Sequence, residues 1–249
     1  MIFQNLPEPI EDLLDVLGLW DHFLSGYLIT MWLYMWALIM GFFLGLTLAI
    51  TRQYGGSILS RIAGGYIEII RGTPLLAQIL LFYYLPISLN IPLGDWSFET
   101  SFNIMDRNIP LKLLDHATLV GILTLGLNSA AYQAEYFRGA ILSVGTGQLM
   151  AAQSVGMSRF AGIRHIVLPQ ALRRVIPAWS NEAAYLPKYT VVVYFIGVRD
   201  LFREAYVSIS AQARPLITYI LIGLIFLVTI SIISKLLDVI HKRTSIPGL

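Results

Sequence analysis

Residues 27–50, YLITMWLYMWALIMGFFLGLTLAI, run for 24 positions without a single charged side chain. An uncharged apolar run of about 20 residues is the length of helix that crosses a ~30 Å hydrocarbon layer. Four further stretches read the same way, roughly 74–93, 117–137, 175–197 and 215–239. Composition agrees: 56% of the 249 residues are hydrophobic and only 13% are charged, about half the charge of an ordinary soluble domain. The spans are read as helices, because a membrane barrel would show short alternating segments instead.

Seventeen Lys and Arg against fifteen Asp and Glu leave a net charge of +2, too small a field to gather nucleic acid. What matters is where the basic residues fall. Residues 1–26 carry Glu8, Glu11, Asp12, Asp15 and Asp21 with no Lys or Arg, which puts the amino end outside. Arg52 and Arg61 follow the first span. Arg138, Arg159, Arg164, Arg173 and Arg174 lie between spans three and four, and Lys242 and Arg243 lie in the C-terminal tail. The expectation is therefore an all-α, multi-pass protein of the cytoplasmic membrane with about five spans, amino end outside and carboxyl end inside. The mixed loop 94–116 is external, and Arg199, Arg203 and Arg214 sit on that side against the rule. The whole of 1–249 reads as one domain, and no basic n-region marks a cleavable leader.

Three local readings follow. Acids alternate with Leu, Ile and Val at helical spacing over 7–24, so 1–26 is expected to be an external amphipathic arm lying on the membrane surface. In RGTPLL, 71–76, Thr73 can cap the second span with Pro74 in its first turn. Residues 58–71 then form a separate inner-face helix in which Glu68 and Arg71, three apart, pair as a structural ion pair.

Two spans carry polar stripes. Thr124, Asn128, Tyr132 and Glu135 are spaced four, four and three apart, and Asn181, Tyr185 and Lys188 four and three apart, so each set falls on one face of a helix. Groups of this kind inside a bilayer are costly unless they face water or a partner. The expectation is that the stripes meet near mid-membrane and line a solute path, with Glu135 towards the inner mouth; the competing reading is polar glue between packed helices. Pro187 should bend the fourth span. The four histidines, His22, His116, His165 and His241, are scattered, and no phosphate loop, nucleophile elbow or metal-ligand spacing occurs. The chain is expected to be no enzyme and to bind no metal or cofactor.

Between spans three and four lies the polar interlude AAQSVGMSRFAGIRHIVLPQ, 151–170. Leu149, Ala152, Gly156, Phe160 and Ile163 gather on one side of a helical wheel, Gly156 marks a break, and Ser158 can cap a second short helix ending before Pro169. An apolar face on a charged inner loop needs lipid or a protein to cover it.

MAAQSVGMSRFAGIRHIVLPQA, 150–171, resembles the E-A-A loop of ATP-binding-cassette importer permeases. YIEIIRGTPLLAQILLFYYLP (66–86), LNSAAYQAEYFRGAI (127–141) and LPQALRRVIPAWSNEAAYLPKYT (168–190) are similar to its polar amino acid subgroup, and the resemblance spans roughly 27–240. It implies the type I importer fold and a coupling loop, 148–169, in which Met150, Ala151, Ala152, Gly156, Ser158, Arg159, Phe160, Ile166, Leu168 and Pro169 seat on an ATPase. It also implies two ATPase subunits holding ATP and Mg, a second permease subunit, identical or related, and an external solute-binding protein, all within membrane lipid and without nucleic acid. The function implied is ATP-driven uptake of polar amino acids by alternating access. Another small solute, such as an opine or osmolyte, is the alternative, ahead of a membrane enzyme or scaffold. Two motifs depart from the family: Met150 stands where it has Glu, and Lys188-Tyr189-Thr190-Val191 where it has Lys-Asp-Thr-Ser.

Overall fold

The computed structural model describes residues 8–244. The chain runs as α1 (Glu8–Leu17), α2 (Trp20–Tyr54), α3 (Ser57–Gly72), α4 (Leu75–Ser88), the strands β1 (Phe98–Ile104) and β2 (Arg107–Leu114), then α5 (His116–Val144). Four short helices carry the interlude and the next span: α6 (Thr146–Ser154), α7 (Arg159–Gly162), α8 (Leu168–Arg174) and α9 (Ile176–Tyr189). α9 tightens into a 3-10 segment, Thr190–Ile196, and α10 (Leu201–Gln212) and α11 (Pro215–Thr244) end the chain.

The apolar runs map onto α2, α4, α5, α9 with its 3-10 extension, and α11. Among the described residues α2 and α11 are by themselves long and apolar enough to cross a membrane, and α3 with α4 makes a third such span if taken as one piece bent by 107°. α5 has the length, since 29 residues at 1.5 Å each reach about 43 Å, but Asn128, Gln133, Glu135 and Arg138 dilute its hydropathy. α9 is short because Pro187 removes an amide donor inside it, and the helix passes into the tighter 3-10 form two residues later.

Two compact units are resolved. One comprises residues up to Trp36, Leu75–Leu125 and Pro187–Ile230. Its core gathers Val16, Phe23, Leu201, Ala205 and Ile222, so α1 is tied into this unit along Val16 while Leu13, Leu14 and Leu17 stay exposed. The basic residues that run against the charge rule find partners here. Arg199 bonds the buried Glu204 at 2.7 Å, Arg214 reaches Asp12 at 2.7 Å, and Arg203 lies over the Tyr194 ring.

The loop 94–116 is not irregular: it is an antiparallel hairpin with Phe102 opposite Ile109 and Ile104 opposite Arg107. It is a two-stranded exception within an otherwise helical fold. Met105 and Asp106 both take positive φ, 49° and 61°, the conformation of a two-residue primed turn, which usually announces itself with glycine. Ser25 donates to the Pro110 carbonyl at 2.5 Å and Trp32 to the Leu113 carbonyl at 2.8 Å, fastening β2 to α2.

At the hairpin's exit Asp115 accepts the Thr118 amide at 2.7 Å and faces Lys112 Nζ at 3.1 Å. Burial alone would raise its pKa, but the Thr118 amide and hydroxyl and the Lys112 charge outweigh burial and hold it below the ordinary carboxylate value. A depressed folded pKa means stabilisation that is complete above the unfolded value of about 4 and is lost as pH falls through the folded one. Asp115→Ala is expected to cost about 1 kcal/mol at pH 7. In thermal unfolding of the detergent-solubilised protein, the gap to wild type should close as the pH is taken well below about 4.

The other unit comprises Ala37–Pro74, Gly126–Leu186 and the chain from Ser231 on. Its core of Ala49, Phe137, Ile141, Val144, Val167, Ala171 and Val175 joins α2, α5 and α8, and Phe42 meets Phe137 and Trp179 edge to face. The expected inner-face helix is present as α3, held to α5 by Tyr66, whose hydroxyl donates to the Leu127 carbonyl at 2.8 Å. Thr73, expected to cap the next helix, donates its hydroxyl proton to the Ile69 carbonyl at 2.9 Å and so closes α3.

Candidate functional site

The interlude begins where α5 ends at Val144. Gly145 turns the chain with φ +79° and starts α6. Gly156 follows α6 with φ +90° and open space where a Cβ would stand, so its need is conformational and not steric. Ser158 then accepts the Ala161 amide at 3.2 Å and caps α7. Both the break and the cap stand where the sequence placed them.

The single apolar face does not. Ala152 is buried and Leu149 packs on the core, and a Cβ on Gly162 would come within 2.8 Å of Leu149 Cδ1, so α6 and α7 close against each other. Phe160, grouped with them on the wheel, is instead 71% exposed, together with Met150 and Val155. The left-handed turn at Gly156 breaks the helical phase, so a continuous wheel misplaces everything beyond it. The second helix, α7, ends at Gly162, before Pro169, but the chain stays helical beyond it. A π-helical turn, Ile163–Val167, absorbs the ring, and Pro169 sits in the first turn of α8, where no amide bond is lost. Arg159 lies over the Tyr54 ring at 5.9 Å, while Ala151, Ser158 and Pro169 are exposed and Ile166 and Leu168 half-buried. The outcome is a short two-helix platform with three exposed apolar side chains.

The polar stripes also fall differently. α5 meets α9 through Ser129 and Gln133, one residue round from Asn128 and Tyr132, and through Trp179 and Glu182. Trp179 Nε1 donates to Gln133 Oε1 at 2.7 Å, Gln133 Nε2 to Ser129 Oγ at 3.0 Å, and Ser129 Oγ to Glu182 Oε1 at 2.7 Å. The indole can only donate, so every hydrogen bond in this chain points towards the carboxylate. One residue is about 100° of helix, so this chain of hydrogen bonds lies beside the Asn128–Tyr132 stripe and not along it. Ser129, Gln133, Trp179 and Glu182 escape the stripe pattern because three of the four lie in an apparently small or aromatic setting; the Glu at 182, inside a predicted span, is the available signal.

Each expected path residue has its own surroundings. Thr124 and Asn128 are buried. Tyr132 lies under the Arg71 guanidinium at 5.2 Å. Glu135 is the centre of a cluster, accepting from Arg52 and from Arg138 at 2.8 Å, so it is not a bare carboxylate at an inner mouth. The expected Glu68–Arg71 pair is not formed: Glu68 faces Arg52 at 3.5 Å and Arg71 stacks on Tyr132. Asn181, Tyr185 and Lys188 lie on the outward face of α9, with Tyr185 51% exposed. Lys188 edges a cleft of about 370 Å³ with Val191, Phe226 and Leu227.

Among the described residues no group of His, Cys, Asp or Glu is placed to hold a metal.

Comparison with known proteins gives this geometry a family. Residues 37–246 match the family described as binding-protein-dependent transport system inner membrane component. The chain is 36% identical over 200 residues to the nopaline transport system permease protein NocM of Agrobacterium fabrum, covering 80% of this chain and 78% of that one. It is 31% identical to the glutamine transport system permease protein GlnP of Escherichia coli, covering 90% and 93%. A solved structure described as an amino acid ABC transporter with histidines is 32% identical, covers 93% of this chain and 98% of its own, and superposes with a TM-score of 0.77. A methionine ABC transporter, MetNI, in an inward-facing conformation shares the fold at a TM-score of 0.63 and 18% identity. The chain belongs to the family of inner membrane components of binding-protein-dependent transport systems.

Proposed function

We propose that this chain is the membrane-spanning subunit of an ATP-driven importer of polar amino acids, that it pairs with a second permease copy, and that it is driven by separate ATPase subunits holding ATP and Mg. The observation that carries this reading is the outward face of α9. Asn181 and Lys188 on a membrane helix are costly against lipid, by about 2.5–3.5 kcal/mol for a central Lys, yet Asn181, Tyr185 and Lys188 are exposed on the single chain. A second permease subunit across that face would turn them into the lining of a shared path. The cluster Met150, Val155 and Phe160 supports the motor contact in the same way, since apolar side chains on a charged loop gain from burial on a partner. Family relatives named for glutamine and amino acids support polar amino acids as cargo, and those named for opines support nopaline or octopine as the second reading.

Two experiments test it. Phe160→Asp should remove ATPase subunits that co-purify with the wild-type permease from native membranes, without lowering the permease level. Retention of the ATPase by the variant would place the contact elsewhere. Lys188→Met should lower ATP-driven uptake of labelled glutamine at least about tenfold if the ammonium holds a substrate carboxylate; unchanged uptake would remove Lys188 from the path. Competition by unlabelled nopaline decides between the two cargo readings.

A further inference from the structure

The hairpin, the start of α2 and the turn before α10 line a half-open cavity of about 500 Å³ within the first unit, a size that suits a solute of amino acid or opine dimensions. Its lining carries both signs of charge. Arg199 and Lys112 supply cations, Glu99 an anion, and Ser101, Asn108 and Ser25 neutral hydrogen-bonding groups. Arg199 is the ordered member. Its Nε is spent on the buried Glu204 at 2.7 Å, and Glu204 is braced from the far side by His22 Nδ1 at 3.2 Å. The guanidinium is thereby fixed in orientation, with its Nη pair, the bidentate fork for a carboxylate, left for the cavity. Lys112 is held by Asp115 at 3.1 Å and approaches Glu99 at 3.8 Å, which keeps an ammonium and a carboxylate side by side on the opposite sheet wall. None of this is needed to fold the hairpin, which is already fastened by Ser25 and Trp32 to the backbone of β2.

We infer that this cavity is an outer binding site for a small zwitterionic solute, its carboxylate on the Arg199 fork and its ammonium towards Glu99, occupied before the solute enters the membrane path. The inference rests on the importer reading for its cargo and for the external placing of the hairpin. It adds a site on the permease that is distinct from the α9 face.

The test uses the assembled permease–ATPase complex in lipid nanodiscs, without ATP and without any solute-binding protein. Equilibrium binding of labelled L-glutamine and of nopaline is measured for wild type, Arg199→Lys and Ser101→Trp. Arg199→Lys keeps the ion pair with Glu204 but loses the fork, and Ser101→Trp fills the cavity from an exposed strand position. Saturable binding by one of the two probes is expected, weakened about tenfold or more in Arg199→Lys, abolished in Ser101→Trp, and absent for the methyl ester of the same probe. No saturable binding by either probe, or binding indifferent to both variants, overturns the inference. Uptake by intact cells is measured in parallel and separates the two readings. Normal uptake with no binding removes the outer site alone, whereas binding with no uptake of either solute leaves the site standing and removes the importer assignment.

Discussion

Gly156→Val is expected to lower ATP-driven uptake by more than an order of magnitude while the permease still reaches the membrane in near wild-type amount. Gly156 has φ +90° with nothing within 4 Å of the point where a Cβ would stand, so a Cβ meets no clash and the expected effect comes from the backbone. A β-branched residue in this region costs on the order of 1–3 kcal/mol, which a membrane protein with two packed cores can absorb without unfolding. The local chain will instead relax towards negative φ. That swings Ser158 and the α7 it caps relative to α6, and it disperses the platform on which Met150, Val155 and Phe160 stand exposed. Asparagine enters the left-handed region far more readily, so Gly156→Asn should retain a larger share of uptake than Gly156→Val. Equal loss in both variants would mean that the glycine is needed for close approach of a partner and not for its dihedral angle.

How far the sequence foretells this molecule depends on whether a signal is local. The cap at Ser158, the break at Gly156, the separate helix before Pro74 and the softening of α9 after Pro187 are all readable, because each is fixed by one residue's backbone or by a side chain reaching three positions along. The length of the apolar runs likewise announces a membrane protein. The hairpin is not readable: its turn is Met105-Asp106 where glycine is usual, and β2 is fastened to α2 by Ser25 and Trp32, which bond residues 85 and 81 positions away.

The stripes show a subtler failure. Periodicity correctly puts Asn128 with Tyr132 and Asn181 with Tyr185 on common faces, yet it says nothing about which face meets which helix. Ser129 and Gln133 on α5 bond α9, while Gly41 and Gly45 bring α2 close to the same stretch of α5. Likewise Glu68 and Arg71 have the right spacing for a pair, but Arg52 and the Tyr132 ring, both distant in sequence, offer each a better partner. Spacing proposes pairs within an element, and packing between elements chooses among them.

That packing supplies the second large effect, expected for Gly45→Leu: loss of the folded permease from the membrane. Gly41 and Gly45, four apart on α2, form the small-xxx-small pattern by which membrane helices approach closely. A Cβ at Gly45 would stand 2.9 Å from the Ala130 carbonyl oxygen, 2.9 Å from Gln133 Cβ and 3.1 Å from the Ala134 amide nitrogen. Two of those three atoms are helix backbone and cannot rotate away, so α2 and α5 must separate. At Gly41 the nearest obstacle is Gln133 Nε2, the atom that donates to Ser129 and so carries the chain of hydrogen bonds to Glu182. Separation therefore costs packing along the whole seam and disturbs the buried carboxylate's donors together. Overpacking of this kind runs to about 1–3 kcal/mol for a modest insertion, and leucine is far larger than that, so Gly45→Ala should lower the unfolding temperature measurably where Gly45→Leu prevents accumulation. Gly139, on the same α5, has nothing within 4 Å of its Cβ position, and Gly139→Ala should gain about 0.5–1 kcal/mol from helix propensity alone. Opposite signs for Gly45→Ala and Gly139→Ala in thermal unfolding of the purified permease would establish that close approach, and not glycine's flexibility, is what α2 requires. The same sign in both would leave the α2–α5 seam without its physical explanation.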